Sequence, residues 1–386
     1  MNVSERAETS SQRSSERRLR VLWLIKGLDA GGAELLLSMM AKVRDRNAID
    51  YEAAYLLPWK DGLVGELEAE GVTVHCLAGG RELDLRWAIR LRQLVRRRGY
   101  DIVHIHSPYV AGIARLALRT MAPNSRPRIV YTEHLPWWGY IRPTRWLNRA
   151  TYRLDHANLA VSRTVRESIP GRLKERVEVV VQGIFVEEVR EQLRHRDDVR
   201  GELGVRDDEI LVGTVAHFRA QKGYPDLLVA ARHVIDRGLR VRFIAVGRGP
   251  QEAEIRVQQR DLGLGDRFLL AGFRPDATRV LAGCDIFAMA SLYEGLPLAL
   301  MESLALGIPV VATNVGGIAE GVANGVEGVL VPPSRPALLA QAIAALASDP
   351  ERRRRMSEAA WARAHDFDLN ASVRRMESVY RQAALG

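Results

Sequence analysis

The chain has 386 residues, 47% hydrophobic and 27% charged, the composition of a folded globular protein and too much chain for one ordinary core, so two domains of roughly 170 to 190 residues are expected. No run approaches the ~20 apolar residues of a membrane span, and Cys76 and Cys284 are the only cysteines, far apart in apolar contexts, which excludes a disulfide scaffold and suits two small buried thiols in a reducing, cytoplasmic compartment. The formal net charge of +9 admits nucleic acid, anionic lipid or a phosphorylated substrate and does not choose among them.

The opening MNVSERAETSSQRSSERRLR has no apolar h-region, so residues 1–18 are expected to form a disordered arm and not a secretory signal. RLRVLWLIKGLDAGGAELLLSMMAKV then reads as a strand (Val21 to Ile25), a turn rich in glycine (Gly27, Gly31, Gly32) and a helix. Short apolar strands recur in GVTVHCLAG, YDIVHIHSP, PRIVYTEH and HANLAVS, separated by stretches of helical length. Apolar strands alternating with helices imply a parallel sheet covered on both faces. Past Phe185 the chain is charged and poor in strand signal, and then the pattern restarts in EILVGTVAHF, LRVRFIAVG, RFLLAGF, CDIFAMAS, IPVVAT and GVLVPP.

The expected class is therefore α/β, two doubly wound Rossmann-like domains facing across a cleft. They span 19–183 and 184–365, with a boundary near Gln182 to Val186. Residues 366–386 form a closing helix, capped by Asp368 or Asn370, that returns to the first domain. In such sheets ligands lie at the carboxyl ends of the strands.

Two carboxylates interrupt an apolar run in SLYEGLPLALMESLALGIPVVAT. A strand ending at Ala290, a turn over YEGLP and a helix from Leu298 to Ala305 would put Glu294 at a strand's carboxyl end and Glu302 in the first or second helical turn. The backbone around Gly295, Leu296, Pro297 and Leu298 would then form a helix N-terminus suited to phosphate oxygens. Carboxylates accept hydrogen bonds from hydroxyl pairs, so one suits a sugar and the other a ribose. In VGTVAHFRAQKGYPDLL, Arg219 and Lys222 precede a helix and are suited to neutralising a diphosphate. The turns GLDAGGAE and VGRGPQE both fail the G-x-G-x-x-G dinucleotide fingerprint, which disfavours a nicotinamide dehydrogenase. Gly316 and Gly317 follow a strand and are assigned no chemistry, and Glu320 reads as a surface or helix-start residue.

Two basic amphipathic stretches, DLRWAIRLRQLVRRRGY and WWGYIRPTRWLNRATYRL, have two readings. Leu85, Ile89 and the later Leu and Val residues make a core face with a solvated arginine side. Alternatively, Trp137, Trp138, Tyr140 and Trp146 among Arg142, Arg145 and Arg149 suit anionic lipid headgroups at the inner face of the cell membrane. No nucleic-acid motif accompanies the charge, and none is expected as partner.

The block EGLPLALMESLALGIPVVATNVGG resembles the signature of the retaining glycosyltransferases of family 4, of the GT-B fold. The resemblance covers nearly the whole chain, through GLDAGGAE, DIVHIHSP, TEH, AHFRAQKG, GRGP and NGVEGVLVPP in the family's order. It implies transfer of a sugar from a nucleoside-diphosphate sugar, with retention and without a metal or other cofactor, to a glycan, lipid-linked or small-molecule acceptor held mainly by the first domain. It implies that Lys222 binds the donor phosphates. It places His217 where the family carries an arginine, with Arg219 two residues later as the candidate replacement. By the same resemblance His134 faces the transferred sugar, Gly31, Gly32 and Gly247 lie in loops that approach the donor closely, and Arg274 contacts the nucleobase. His106 and Trp137 are placed on the acceptor side. Two rival readings remain open: a sugar-nucleotide epimerase or hydrolase, which would consume donor without acceptor, and a non-catalytic sugar-nucleotide-binding subunit.

Overall fold

A computed structural model describes residues 17–29, 31–78 and 84–385. Most of the expected arm, and residues 79–83, lie outside the described residues. The chain forms two compact units, one of Met1–Glu133, Ile141–Leu159 and Val373–Gly386, and a second of His134–Tyr140 and Ala160–Ser372. Among the described residues no helix is long and apolar enough to cross a membrane.

The first sheet has strands β1 (Leu19–Ile25), β2 (Ile49–Tyr55), β3 (Thr73–Cys76), β4 (Ile102–Ile105), β5 (Arg128–Glu133), β6 (Ala157–Ala160) and β7 (Val177–Val179), in the order β3-β2-β1-β4-β5-β6-β7. The second has β8 (Ile210–Val215), β9 (Val241–Val246), β10 (Phe268–Gly272), β11 (Ile286–Met289), β12 (Val310–Thr313) and β13 (Gly328–Val331), in the order β10-β9-β8-β11-β12-β13. The pairings β1 with β2 and β4, and β8 with β9 and β11, are parallel. Each sheet thus reverses its strand order once, beside β1 in the first and β8 in the second, and loops leaving the carboxyl ends of the strands at such a point splay apart and leave a crevice. Val, Ile, Leu and Ala fill the central strands because both faces are covered: Val21 to Leu24 and Ile286 to Ala288 are fully buried.

β2 carries two acidic residues and gives a weak strand signal. Its Glu52 is tolerated inside because it accepts from the Tyr100 hydroxyl at 2.7 Å and meets Arg20 at 3.3 Å and His75 at 2.5 Å. Burial opposes the charge, but the hydrogen bonds from His75 and Tyr100, with the Arg98 guanidinium 3.8 Å away, hold its carboxyl below the usual range.

Two expectations about burial are corrected. Cys284 is buried and its thiol is pushed up to about 12 by desolvation, but Cys76 is exposed at the end of an edge strand. In the helix Arg86–Arg98 the core face is Trp87, Leu91 and Val95, whereas Leu85 and Ile89 face outward. Both sets share helical spacing, and the larger Trp87 carries the one that packs.

A buried polar chain ties the C-terminal helix Leu369–Leu385 into the first unit. The Tyr380 hydroxyl accepts from Trp23 Nε1 at 3.3 Å and donates to His104 Nδ1 at 2.6 Å, and His104 Nε2 donates to Thr132 Oγ1 at 2.8 Å. Asp368 precedes this helix and its carboxylate accepts from the Asn370 amide at 3.0 Å. Arg115, fully buried, forks onto Asp155 at 2.7 and 2.6 Å, donates to Asn148 Oδ1 at 2.7 Å and stacks over Tyr131 at 4.7 Å.

In the second unit Glu320 does more than its sequence context suggests. Its carboxylate accepts from the backbone amides of Arg163 at 2.8 Å and Thr164 at 2.6 Å, and from Thr164 Oγ1 at 2.8 Å, at the start of the helix Arg163–Glu167. This is a cap supplied from distant sequence. Replacing Glu320 by alanine is expected to lower stability by about 1–2 kcal/mol, measured as a shift in urea midpoint; no shift would show that the cap contributes nothing.

Candidate active site

The loops after β8 and β11 flank the point where the second sheet reverses its order, and they bring Lys222 onto Glu294. Lys222 Nζ lies 2.6 Å from Glu294 Oε1. The same carboxylate oxygen accepts from Ser291 Oγ at 2.6 Å, and Gln221 Nε2 reaches Oε2 at 3.3 Å and the Tyr293 carbonyl at 3.0 Å. Glu294 is 3% exposed, and both of its carboxylate oxygens meet donors, as a buried carboxylate requires.

Glycines make this approach possible. Gly223, directly after Lys222, has φ +63°, and a Cβ there would fall on the carbonyl of Ala290, which locks the β8 loop against the end of β11. Gly295 is pressed against the His134 carbonyl, and a Cβ on Gly317 would strike the Gly295 carbonyl, which accepts from the Gly317 amide at 2.6 Å. The backbone of Glu294 and Gly295 is thereby sandwiched between His134 and the turn Gly316 to Gly317. That turn has a structural part in the site, which its sequence did not disclose.

The helix Leu298–Ala305 begins where the spacing predicts, and Pro297 at its N-cap makes no side-chain capping bond. Gly295 and Leu296 lie in the turn immediately before it, and Leu298 is its first residue. Glu302 sits one turn in, where burial raises its carboxyl above the ordinary range and Thr278 Oγ1 donates to it at 3.3 Å. His217 Nδ1 lies 3.2 Å from the Arg248 carbonyl and so is tied to backbone, while Arg219 is exposed; burial and the Glu294 carboxylate raise the Tyr293 phenol above its ordinary range, and Arg219 only partly opposes them. A Cβ on Gly247 would strike the Ala216 carbonyl, so the loop after β9 closes tightly on the β8 loop.

His134 follows β5 and is the residue on which Gly295 packs. Burial lowers its imidazole to about 4, so the ring is neutral near pH 7. Gln182 Nε2 lies 3.2 Å from Nδ1 and, as an amide donor, leaves the ring's proton on Nε2. An unfolded imidazole near 6.5 takes up a proton that folded His134 refuses until about pH 4. Its contribution to stability is therefore intact above about pH 6.5 and is lost as the pH falls toward 4. Between pH 7.5 and 5 the wild-type protein is expected to lose about 1–2 kcal/mol more stability than His134→Gln, measured by urea unfolding; equal losses would contradict the assignment.

The remaining expected residues are spread more widely. Arg274 is held bidentate by Asp276 at 2.8 and 2.7 Å and keeps that carboxyl at about 2, so its guanidinium is already engaged. Trp137 is buried at 2% exposure with its amide bonded to Ser168 Oγ, and the neighbouring Trp138 faces outward, edge-on to Tyr293 at 5.2 Å. Trp137, expected on the acceptor side, is thus an interior residue. Gly31, Gly32 and His106 belong to the first unit. Gly31 caps the helix Gly32–Val43 with extended backbone, Gly32 has open space where a Cβ would stand, and buried His106 lies 4.0 Å from the His104 ring. Ser291, Gln221 and Gln182 were missed: the first two are sequence neighbours of the acid and the lysine, but nothing in the sequence signals Gln182. No group of three His, Cys, Asp or Glu side chains among the described residues is arranged to hold a metal.

The chain thus holds two doubly wound parallel sheets, and in the second Lys222 meets Glu294 just before the helix Leu298–Ala305, beside the point where the strand order reverses. Residues 48–188 match the model for Glycosyltransferase Family 4, and residues 195–363 that for Glycosyl transferases group 1. The chain belongs to this family and is a glycosyltransferase. It is 26% identical over 288 residues to the UDP-Gal:alpha-D-GlcNAc-diphosphoundecaprenol alpha-1,3-galactosyltransferase of Escherichia coli, covering 71% of this chain and 73% of that one. It is 27% identical over 324 residues to the alpha-D-kanosaminyltransferase of Streptomyces kanamyceticus, covering 78% and 82%. Among solved structures, Anabaena HepE in complex with UDP-glucose superposes with a TM-score of 0.81 at 23% identity, covering 95% of this chain and all of that one.

Proposed function

We propose that the chain transfers a sugar, with retention of anomeric configuration, from a nucleoside-diphosphate sugar to a glycan or lipid-linked acceptor. The observation that carries this reading is the Lys222 and Glu294 pair at 2.6 Å beside an uncapped helix start at the sheet's switch point. Lys222, Arg219 and the first amides of the helix Leu298–Ala305 stabilise charge on the departing diphosphate without a metal. Glu294 holds sugar hydroxyls and Glu302 the ribose. His134, neutral and carrying its proton on Nε2, offers a hydrogen-bond donor to the transferred sugar. The printed UDP-Gal donor and diphosphoundecaprenol acceptor of the Escherichia coli relative, and the UDP-glucose bound to HepE, support a UDP-sugar and a lipid-linked acceptor.

The test is release of nucleoside diphosphate from UDP-glucose, UDP-galactose, UDP-N-acetylglucosamine and GDP-mannose, with and without a bacterial lipid extract as acceptor. Release that depends on the extract, with the donor's anomeric configuration preserved in the product by proton NMR, is expected. Consumption without acceptor would indicate the hydrolase or epimerase reading. Binding with no consumption under any condition would indicate a non-catalytic subunit.

A further inference from the structure

Two aromatic rings stand at the rim of the site. Tyr293 directly precedes Glu294, and Trp138 follows His134 by four residues. Glu294 is buried, Tyr293 is half-buried and Trp138 is 53% exposed, so the rings continue the site outward from the carboxylate to solvent. They meet nearly at right angles, with 75° between planes and 5.2 Å between centroids, and form the two walls of a corner.

The backbone holds this corner in place before any ligand arrives. Trp138 sits in the single turn Trp137–Gly139, anchored by the buried Trp137 ring and by the Trp137 amide, which donates to Ser168 Oγ at 2.9 Å. Gly139 lies against the other wall: a Cβ there would stand 2.9 Å from Tyr293 Cε2, so a larger residue would push that ring out. From the opposite side Gln221 Nε2 donates to the Tyr293 carbonyl at 3.0 Å, and the Gln221 carbonyl accepts from the Leu292 amide at 2.7 Å. Fixing both rings in advance lowers the entropy lost when a ligand covers them.

The chemistry of the corner selects a sugar ring. A pyranose has a face of axial C–H bonds, which the electron-rich face of an indole or phenol attracts, and a perimeter of hydroxyls that need hydrogen-bond partners. The phenol hydroxyl of Tyr293 and the exposed guanidinium of Arg219, whose charge acts on that phenol, supply such partners at the corner. An acyl or prenyl chain would need an apolar surface wider than two rings bounded by Arg219 and Gln221. The donor's own sugar is taken up deeper, by Glu294 and His134, so a ring that arrives from solvent belongs to the acceptor.

We propose that Trp138 and Tyr293 form a platform on which the pyranose ring of the acceptor stacks. The inference rests on the transfer reading above and names the chemistry of its acceptor, a saccharide ring.

The test is saturation-transfer-difference NMR on the full chain, irradiating aromatic protons. Methyl α-D-glucopyranoside, methyl α-D-galactopyranoside and methyl N-acetyl-β-D-glucosaminide are the sugar probes, and hexanol is an apolar probe without a ring. Saturation of the ring protons of at least one glycoside is expected, falling by more than about fivefold in Trp138→Ala and in Gly139→Ala and partly restored in Trp138→Phe. Trp146→Ala, which removes an even more exposed indole elsewhere in the chain, should leave the signal within about twofold. Calorimetry with the four nucleotide sugars named above should give Trp138→Ala the wild-type donor affinity within about twofold. Trp138 is exposed, so its variants should keep the wild-type thermal midpoint; where Gly139→Ala does not, the Trp138 pair decides. The glycoside signal is read without donor, which tells a failure of donor binding apart from a failure of the platform. No signal from any glycoside, a signal indifferent to Trp138, saturation of hexanol alone, or weakened donor binding in Trp138→Ala would each overturn the proposal.

Discussion

Replacing Lys222 by alanine is expected to lower kcat by more than about a hundredfold, because loss of one preorganised charge contact on a leaving group costs roughly 3–4 kcal/mol of transition-state stabilisation. The structure separates this effect from damage to the fold. Lys222 is held 2.6 Å from Glu294, yet that carboxylate keeps Ser291 and Gln221 as donors when the lysine is gone. The buried acid is not orphaned, so the thermal midpoint should fall by only a few degrees. Steady-state kinetics beside thermal melts check both halves. A fall in kcat below tenfold would remove Lys222 from the reacting groups, and a fall matched by gross unfolding would make the pair structural.

The largest expected loss of stability lies at Arg115. Its guanidinium is fully buried, forks onto Asp155 at 2.7 and 2.6 Å and stacks on Tyr131. Arg115→Met removes the guanidinium from which both Asp155 carboxylate oxygens accept inside the first unit, at an expected cost of about 3–5 kcal/mol. The consequence reaches the site by chain connection: Asn148, which accepts from Arg115, donates to Glu133 at 3.3 Å, and Tyr131 donates to the same carboxylate at 2.8 Å, immediately before His134. Urea unfolding of Arg115→Met, Asp155→Leu and the double variant distinguishes the explanations. The double variant should be more stable than either single one, because it removes both halves of the buried ion pair together. A loss below about 1 kcal/mol in the single variants would show that water reaches the pair.

Much of the architecture could be read from periodicity. The six strands of the second sheet are where apolar runs place them, and the helix from Leu298 to Ala305 has the bounds its spacing predicts. β2 escaped because Asp50 and Glu52 break its apolar run, and the partners that make Glu52 tolerable come from residues 20, 75 and 100, far away in sequence. Leu85 and Ile89 were misplaced because two faces of one helix offered apolar spacing, and only packing against the sheet decides between them. In the site, charged residues at strand ends were legible: Lys222, Glu294 and Glu302 follow strands directly or by one helical turn. Their supports were not. Gly316, Gly317 and Gln182 act through backbone contact and a single hydrogen bond across long sequence separations, which no local pattern encodes.

The central claim is that the crevice beside β8 and β11 holds a nucleoside-diphosphate sugar, and calorimetric titration of the chain and of Lys222→Ala with UDP, GDP, ADP and their sugar conjugates tests it most directly. One base is predicted to bind the wild-type protein, its sugar conjugate to bind more tightly, and both to weaken by at least tenfold in the variant, about 1.4 kcal/mol or more. Binding of none of them, or binding indifferent to Lys222, would contradict the account.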